Sequence, residues 1–285
     1  MPETVPGPNK VTSTSSDRVS RIRALNTRAG RRKAGRFVVE GPLAVASALR
    51  AGVRVHELLV DETATDGFAE LVALAESAGA RTTLVTPAVM TAMADTEHPQ
   101  GILAVCDLLA EVDLGAIMSA PGPVIVLESI SDPGNVGTVI RTADSVSAAG
   151  VVLTPGSADV HSGKVVRSTA GSLFHLPVAS GVPIDELVSA ARAARRTIAV
   201  ASGDGNVALF DAADDGRVDD RTCWIIGSEA HGVSAEARSA ADHVVVIPMT
   251  GLAESLNAAV AAAVLLYVTR HAESRVQRHD QRMTD

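Results

Sequence analysis

Residues 243–270 read HVVVIPMTGLAESLNAAVAAAVLLYVTR, and this stretch decides the fold. The β-branched run 244–247 predicts a buried strand. Pro248 stops it, and Thr250-Gly251 supplies a turn. Ser255 then opens a helix that is apolar on nearly every face over 258–268. A helix with no polar face belongs inside a protein. A loop and a helix N-terminus carrying Ser255 and Asn257 are therefore expected beside the core. Free N–H groups there can receive a ligand, and the polar side chains need partners. Taken alone, the stretch is better read as a capped core helix.

The segments before it follow a matching rhythm. VIVLE (124–128), GVVLT (150–154), TIAVAS (197–202) and CWIIG (223–227) read as strands. Helices are expected over 138–148, 161–170 and 184–195. Strands separated by helices imply a mainly parallel sheet, so the fold class is α/β. Further upstream a smaller α/β unit is expected. It has a basic helix over 17–29, strands at 37–40, 55–60, 82–85 and 101–106, and helices ending near 51, 78 and 93. The expected organisation is a disordered tail (1–16), a first domain (17–107), a linker ending in SAPGP (108–122), a second domain (123–271) and a charged, fraying tail (272–285).

The chain's 285 residues, 46% of them hydrophobic, suffice for two domains. Its net charge of −8 is uneven: residues 1–36 hold nine Lys/Arg against two acids, +7, and the rest carries −15. A basic arm on an acidic body points to a polyanion partner, against the plainer reading of a basic tail. Cys106 and Cys223 each sit in an apolar run, which favours buried free thiols over a disulfide or a metal site. MPETVPGPNK lacks the apolar stretch of a secretory signal. The apolar run 258–268 is short of the ~20 residues that span a bilayer. A soluble, cytoplasmic protein with no metal is expected. Aromatic residues make up only 2%, which disfavours a stacking platform for single-stranded RNA.

Ligands of open parallel sheets bind beyond the carboxyl ends of the strands, and that rule selects four loops. In the first, residues 128–144, SDPGNVG makes a tight turn before a helix. Arg141 leans back over Gly137 toward Asn135. In the second, SGDGNVA, Gly203, Gly205 and Ala208 fit G-x-G-x-x-A, but no convincing helix follows, so a dinucleotide site is disfavoured. The third is GSEAHGVS, where Glu229 stands at a strand end able to hold Arg141 by paired hydrogen bonds; His231 reads as a loop residue. The fourth carries Ser255 and Asn257.

NVGTVIRTAD (135–144), IIGSEAHGVS (225–234) and IPMTGLAESLNAAVAAAV (247–264) resemble, in order and spacing, the three motifs of the SpoU (TrmH) family of RNA ribose 2′-O-methyltransferases. KVVRSTAGSLFHLPV (164–178), with Arg167, is similar too. GRFVVEGPLAVASALRAGVRVHELLV (35–60) and TEHPQGILAV (96–105) resemble these enzymes' RNA-binding domain, itself similar to ribosomal protein L30e. The likeness is strongest to the ribosomal RNA branch that includes thiostrepton-resistance methyltransferases.

The resemblance implies a trefoil-knotted SPOUT domain, S-adenosylmethionine bound in the knot, and a homodimer whose active site uses both protomers. Nothing in the residues themselves suggests a knot, since chains as a rule do not thread loops. By the same resemblance Gly227, Ile247 and Leu256 hold the cofactor, with Ser202 and Gly203 nearby. Asn135, Arg141, Glu229, Ser255 and Asn257 fall on catalytic positions. The family assigns the arginine as base. A guanidinium is effectively always protonated, so holding a phosphate and stabilising alkoxide charge is the safer role for Arg141. Arg21, Arg23, Arg28, Arg31, Arg32, Lys33 and Arg36 in the basic arm, and Arg167, are expected to contact RNA phosphates. The most expected substrate is 23S ribosomal RNA. Transfer RNA, a non-catalytic RNA-binding assembly factor and a nucleotide-dependent dehydrogenase are the alternatives.

Overall fold

The computed structural model describes residues 10–229 and 231–284, with side chains as far as residue 272. The chain divides into two units. The first reaches to Ala110 and includes Asp159–His175; the second comprises Glu111–Ala158 and the chain from Leu176. The expected tails fall partly outside the described residues.

In the first unit, β1 (Lys10–Val11), β2 (Arg36–Glu40), β3 (Val55–Asp61), β4 (Arg81–Val85) and β5 (Ile102–Asp107) form a sheet in the order β1-β4-β3-β5-β2. β4 pairs in parallel with β1 and β3, whereas β5 pairs antiparallel with β3 and β2. The helices are α1 (Asp17–Ala24), α2 (Arg28–Ala34), α3 (Pro42–Arg50), α4 (Ala69–Ser77) and α5 (Pro87–Met93). Two expectations change here. Lys10 and Val11 belong to the sheet, not to a disordered tail. The basic helix is two helices, because the Thr27 side chain accepts from Gly30 N and starts α2 afresh.

The second unit carries α6 (Leu114–Ser119), β6 (Val124–Glu128), α7 (Pro133–Ser145) and β7 (Gly150–Leu153). The chain then contributes residues 159–175 to the first unit, including the short helix α8 (Gly163–Ser168). There Phe37 meets His161 edge-on at 4.9 Å and stacks on Phe174 at 6.4 Å. Hydrophobic periodicity reports a buried face without saying what covers it, so this excursion was invisible in the expected 123–271 boundary. Back in the second unit follow β8 (Val178–Ser180), α9 (Ile184–Ala193), β9 (Thr197–Ala201), β10 (Val207–Ala208), α10 (Leu209–Asp214), β11 (Thr222–Gly227), α11 (Ala235–Ala240), β12 (His243–Val246) and α12 (Ala258–Thr284).

Every pairing in this second sheet is parallel, in the order β10-β12-β9-β11-β6-β7-β8. The chain builds from β6 outward through β7 to β8, then returns to the other side of β6. That reversal is a topological switch, where such sheets open a crevice at the carboxyl ends of their strands.

The expected linker contains α6, whose Leu114, Ile117 and Met118 are buried in the core of the second unit. The C-terminal carbonyls of α6 also receive a buried cation. Arg196, 3% exposed, donates to the carbonyls of Met118, Ala120 and Gly122 at 2.5–2.9 Å. Burial lowers the pKa of this guanidinium, and the carbonyl end of a helix is where a cation is best compensated.

α12 also departs from expectation. It starts at Ala258, not Ser255, and runs to Thr284 rather than ending near 270. Among its described side chains only one side is buried: Ala258, Ala259, Ala262, Leu265, Leu266 and Thr269. Val260 and Tyr267 stand 49% and 56% exposed.

Candidate active site

The chain after β6 is shaped by Ser129, whose φ of 54° is left-handed and whose amide donates to Thr154 Oγ1 at 3.0 Å. Asp132 then accepts from the amide of Asn135 at 2.8 Å, and Pro133 takes the first helical position. The expected loop SDPGNVG is therefore largely the first turn of α7. Its glycines suggested a loop, but an Asp cap followed by Pro is itself a helix start. Asn135 is placed in that first turn, half-buried.

Asn257 is the cap residue of α12: its Oδ1 accepts from the amides of Ala259 and Val260 at 3.0 and 3.3 Å. Its Nδ2 donates to Asn135 Oδ1 and to Glu229 Oε1, both at 3.0 Å. Glu229 Oε1 also accepts from the amide of Ala258 at 3.2 Å. Three segments far apart in sequence thus converge on one side-chain amide.

Arg141 does not join them. It is exposed on α7, six residues beyond Asn135, and its side chain makes no hydrogen bond or ion pair with another described residue. Six residues rise roughly 9 Å along a helix. The expectation that Glu229 holds Arg141 is corrected: a carboxylate beside the free amides at a helix start is drawn to them and to the helix dipole.

Beside the cluster lies a cavity of about 490 Å³. Ser202, Gly203, Gly227, Ile247 and Leu256 all line it, as do Glu229 and Ser255. Its walls come from the ends of β9, β11 and β12 and from the start of α12. A Cβ on Gly227 would sit 1.9 Å from the carbonyl oxygen of Gly232, so only glycine lets the loop after β11 fold back there. Gly205 meets backbone of β12 in the same way, at 2.6 Å. The glycines of SGDGNVA therefore serve close chain packing, and the helix α10 that does follow them is only six residues long.

Some contributors gave little sequence signal. Asp204 is clamped by Arg238 through two hydrogen bonds of 2.8 and 3.0 Å. Ser202 Oγ donates to the same carboxylate at 2.5 Å. The Arg238 hydrogen bonds first, and Ser202 second, hold the Asp204 carboxyl down at about 2. Glu128, buried at the end of β6, accepts from the amide of Ser234 at 3.0 Å and fixes the far end of the Glu229 loop. An acid at the end of an apolar strand was the available clue to it. Met249 and Glu254 also line the cavity; both lie inside the motif 247–264, where no role was expected of them.

The cations expected to meet RNA divide into two groups. Arg21, Arg23, Arg28, Arg32 and Lys33 are exposed, and their side chains have no partner among the described residues. Arg31, by contrast, is 4% exposed, pairs with Asp159 at 2.6 Å and donates to Leu25 O at 2.9 Å. Burial acts to raise the Asp159 pKa, but the hydrogen bonds from His161 and Arg31 outweigh it and hold that carboxyl well below its usual range. Arg167 bridges Glu40 at 3.3 Å and Asp95 at 2.9 Å, and Arg36 faces Asp107 at 3.9 Å. Arg31 is thus a structural residue, and Arg167 is committed to carboxylates within its own unit. Cys106 and Cys223 are free and buried, and burial pushes both thiols up to about 12. Neither is a nucleophile at neutral pH. No helix among the described residues is long and apolar enough to cross a membrane.

Comparison with known proteins gives a consistent result. Residues 122–267 match the model of the SpoU rRNA Methylase family, and residues 16–104 match an MRM3-like substrate binding domain. The chain is 33% identical over 267 residues to the 23S rRNA (guanosine(2553)-2′-O)-methyltransferase RlmP of Bacillus subtilis, covering 92% of this chain and 99% of that one. It is also 33% identical over 278 residues to a 23S rRNA (uridine(2479)-2′-O)-methyltransferase of Streptomyces viridochromogenes, covering 93% of each. Among solved structures, an AdoMet-bound rRNA methyltransferase from Sinorhizobium meliloti superposes with a TM-score of 0.82 at 27% identity, covering 92% of this chain and 97% of that one.

Proposed function

Because the chain belongs to the SpoU rRNA Methylase family, we propose that it transfers a methyl group from S-adenosylmethionine to a ribose 2′-hydroxyl of 23S ribosomal RNA in the cytoplasm. The observation that carries this reading is the convergence of Asn135, Glu229 and Asn257 beside a cavity lined by all five expected cofactor residues. The cavity's volume falls within the range of small-molecule sites, ~300–1,000 Å³. Among the described residues the charged ones lining it are two carboxylates, Glu229 and Glu254, which suits a ligand bearing a sulfonium and an ammonium.

Ser202, Gly203, Gly227, Ile247 and Leu256 would hold the cofactor, which would supply a methyl already activated on sulfur, and solvent water would take the proton that the ribose hydroxyl gives up. The chain's own work is positioning and charge stabilisation. Asn257 spends both amide hydrogens on Asn135 and Glu229. Asn135 Oδ1 is thereby occupied, and its Nδ2 keeps its donors for a ribose oxygen. Glu229 locks the first turn of α12, so Ser255 and Leu256 are held at the cavity wall. Arg141, unpaired and exposed, takes the phosphate beside the target ribose and stabilises the developing alkoxide. Within the first domain, residues 17–107, the exposed cations Arg21, Arg23, Arg28, Arg32 and Lys33 position the RNA by its phosphates.

The protein acts as a homodimer through the second domain, residues 123–271. Val260 and Tyr267 on α12, with Met249 and Leu252 in the loop before it, form an exposed apolar set, and such sets mark association surfaces. The trefoil knot comes from the family likeness. It accords with β12 lying outside β9 in the sheet while α12 packs on α7, α10 and β11.

The deciding experiment supplies labelled-methyl S-adenosylmethionine and ribosomal RNA from cells lacking the gene, then maps the methylated ribose. A single labelled 2′-O position in 23S RNA is expected. Label in transfer RNA alone would move the substrate. Tight RNA binding with no label would leave an assembly factor.

A further inference from the structure

One cavity of the first unit has no part in methyl transfer. It measures about 510 Å³ and is walled by α1, α2 and the sheet. Among the described residues five cations line it, Arg18, Arg21, Lys33, Arg36 and Arg81, against a single carboxylate, Glu57. Glu57 is already matched, by Arg81 at 3.0 Å and by the Thr83 hydroxyl at 2.8 Å. Arg18 Nη1 lies 3.5 Å from Glu57 Oε1, is buried, and has no hydrogen-bond partner. The side chains of Arg21 and Lys33 have none among the described residues either. Like charges gathered at one opening repel unless an anion joins them, and a buried donor left with an ion pair but no hydrogen bond is under-satisfied.

The remaining wall is apolar, with Ile22, Leu25 and Val105 all buried. A bare phosphate would use the cations and leave this wall and most of the volume empty. A ligand with an anionic end and a flat, weakly polar body uses both. We propose that the cavity receives one nucleotide of the substrate RNA, turned out of its strand. Its phosphate lies on Arg18, Arg21 and Lys33, and its ribose and base pack against Ile22, Leu25 and Val105. The proposal rests on the RNA-binding reading of this domain and gives it a defined subsite. Loops and bulges of RNA can splay out unstacked nucleotides, and proteins take hold of them there. No aromatic ring among the described residues lines this cavity, so the subsite selects for size and charge over base identity.

The test uses the full-length protein and three probes: inorganic phosphate, the four nucleoside 5′-monophosphates, and 23S ribosomal RNA. Arg21→Gln with Lys33→Gln removes charge from side chains that hold nothing in the fold. Ala34→Phe fills the cavity at constant charge. Circular dichroism and S-adenosylmethionine affinity report folding of each variant. The expected result is that all four monophosphates shift the amide resonances of residues 22–25, 30 and 105, while phosphate shifts only those near the cations. Both variants weaken RNA binding by about 5- to 20-fold at low salt, with S-adenosylmethionine affinity within about twofold. Phosphate reproducing the whole nucleotide response would overturn the subsite as a simple anion site. So would an Ala34→Phe protein that binds RNA like the native chain; if the charge variant still lost affinity, RNA binding by the domain would stand without the subsite. A native protein that binds no ribosomal RNA would remove the RNA reading itself.

Discussion

The two cavities are nearly equal in size, about 490 and 510 Å³, and opposite in construction. The second unit's cavity is made of loops at strand ends, with close-packed glycines, a helix start and two carboxylates. The first unit's is made of helix and strand side chains, with five cations over an apolar floor. Volume alone would not tell them apart. Charge and the source of the wall do: backbone-lined and acidic for a small cation, side-chain-lined and basic for a polyanion.

The largest expected effect breaks the first unit while leaving the second intact. Arg31→Met leaves a mostly buried Asp159 carboxylate with only its His161 contacts, and breaking such a pair costs up to ~3–5 kcal/mol. Chemical denaturation should show that loss with S-adenosylmethionine affinity preserved. The Asp159 carboxyl is depressed in the folded state. Its contribution is therefore complete above the ordinary carboxylate pKa, about 3.9, and is lost as pH falls below that value. Acid titration of Asp159→Asn should accordingly be flatter below about pH 4 than that of the native chain.

Next, Arg141→Ala should lower methyl transfer by ~10²–10³-fold, as removal of a charge-stabilising donor does, with cofactor affinity nearly unchanged. Native turnover in that variant would remove Arg141 from the site. Gly227→Ala comes third: its methyl meets the Gly232 carbonyl at 1.9 Å. Overpacking of this kind costs about 1–3 kcal/mol, and calorimetry should find cofactor binding weakened more than overall stability. Fourth, Arg23→Gln, Arg28→Gln and Arg32→Gln together should reduce the salt dependence of RNA binding by up to about three phosphate contacts. Deleting residues 1–36 would be a poor substitute, because Val19, Ile22 and Leu25 are 0–5% exposed in the first core. The smallest effect is expected of Asp204→Asn, which loosens the Arg238 clamp on the Ser202 loop. Cofactor affinity should drop a few-fold at most, as suits an exposed pair.

The sequence legibility of the two units also differs. Five of the seven strands of the second sheet were located to within a residue or so at each end, because buried parallel strands are continuous apolar runs; the short β8 and β10 at its two edges were not expected. All five cofactor positions reached the cavity wall. What went astray was polar. The start of α7 was hidden behind glycines, Glu229 was assigned the wrong partner, and Ser255 was given the helix start that Asn257 holds. In the first unit the basic arm was plain from charge alone. That Arg31 is buried against Asp159, 128 residues away, was not.

By itself the sequence determined the α/β class, the parallel sheet, the uneven charge and the motifs that place the chain in its family, since all of these rest on local periodicity, composition or short-range order. Only the tertiary structure decided which arginines are surface and which are girders, that residues 159–175 belong to the first unit, and that Asn135, Glu229 and Asn257 share a hydrogen-bond network. Burial and pairing are properties of contacts between distant segments. A side chain's type fixes what it can bond, but its partner is chosen by where the fold carries the rest of the chain.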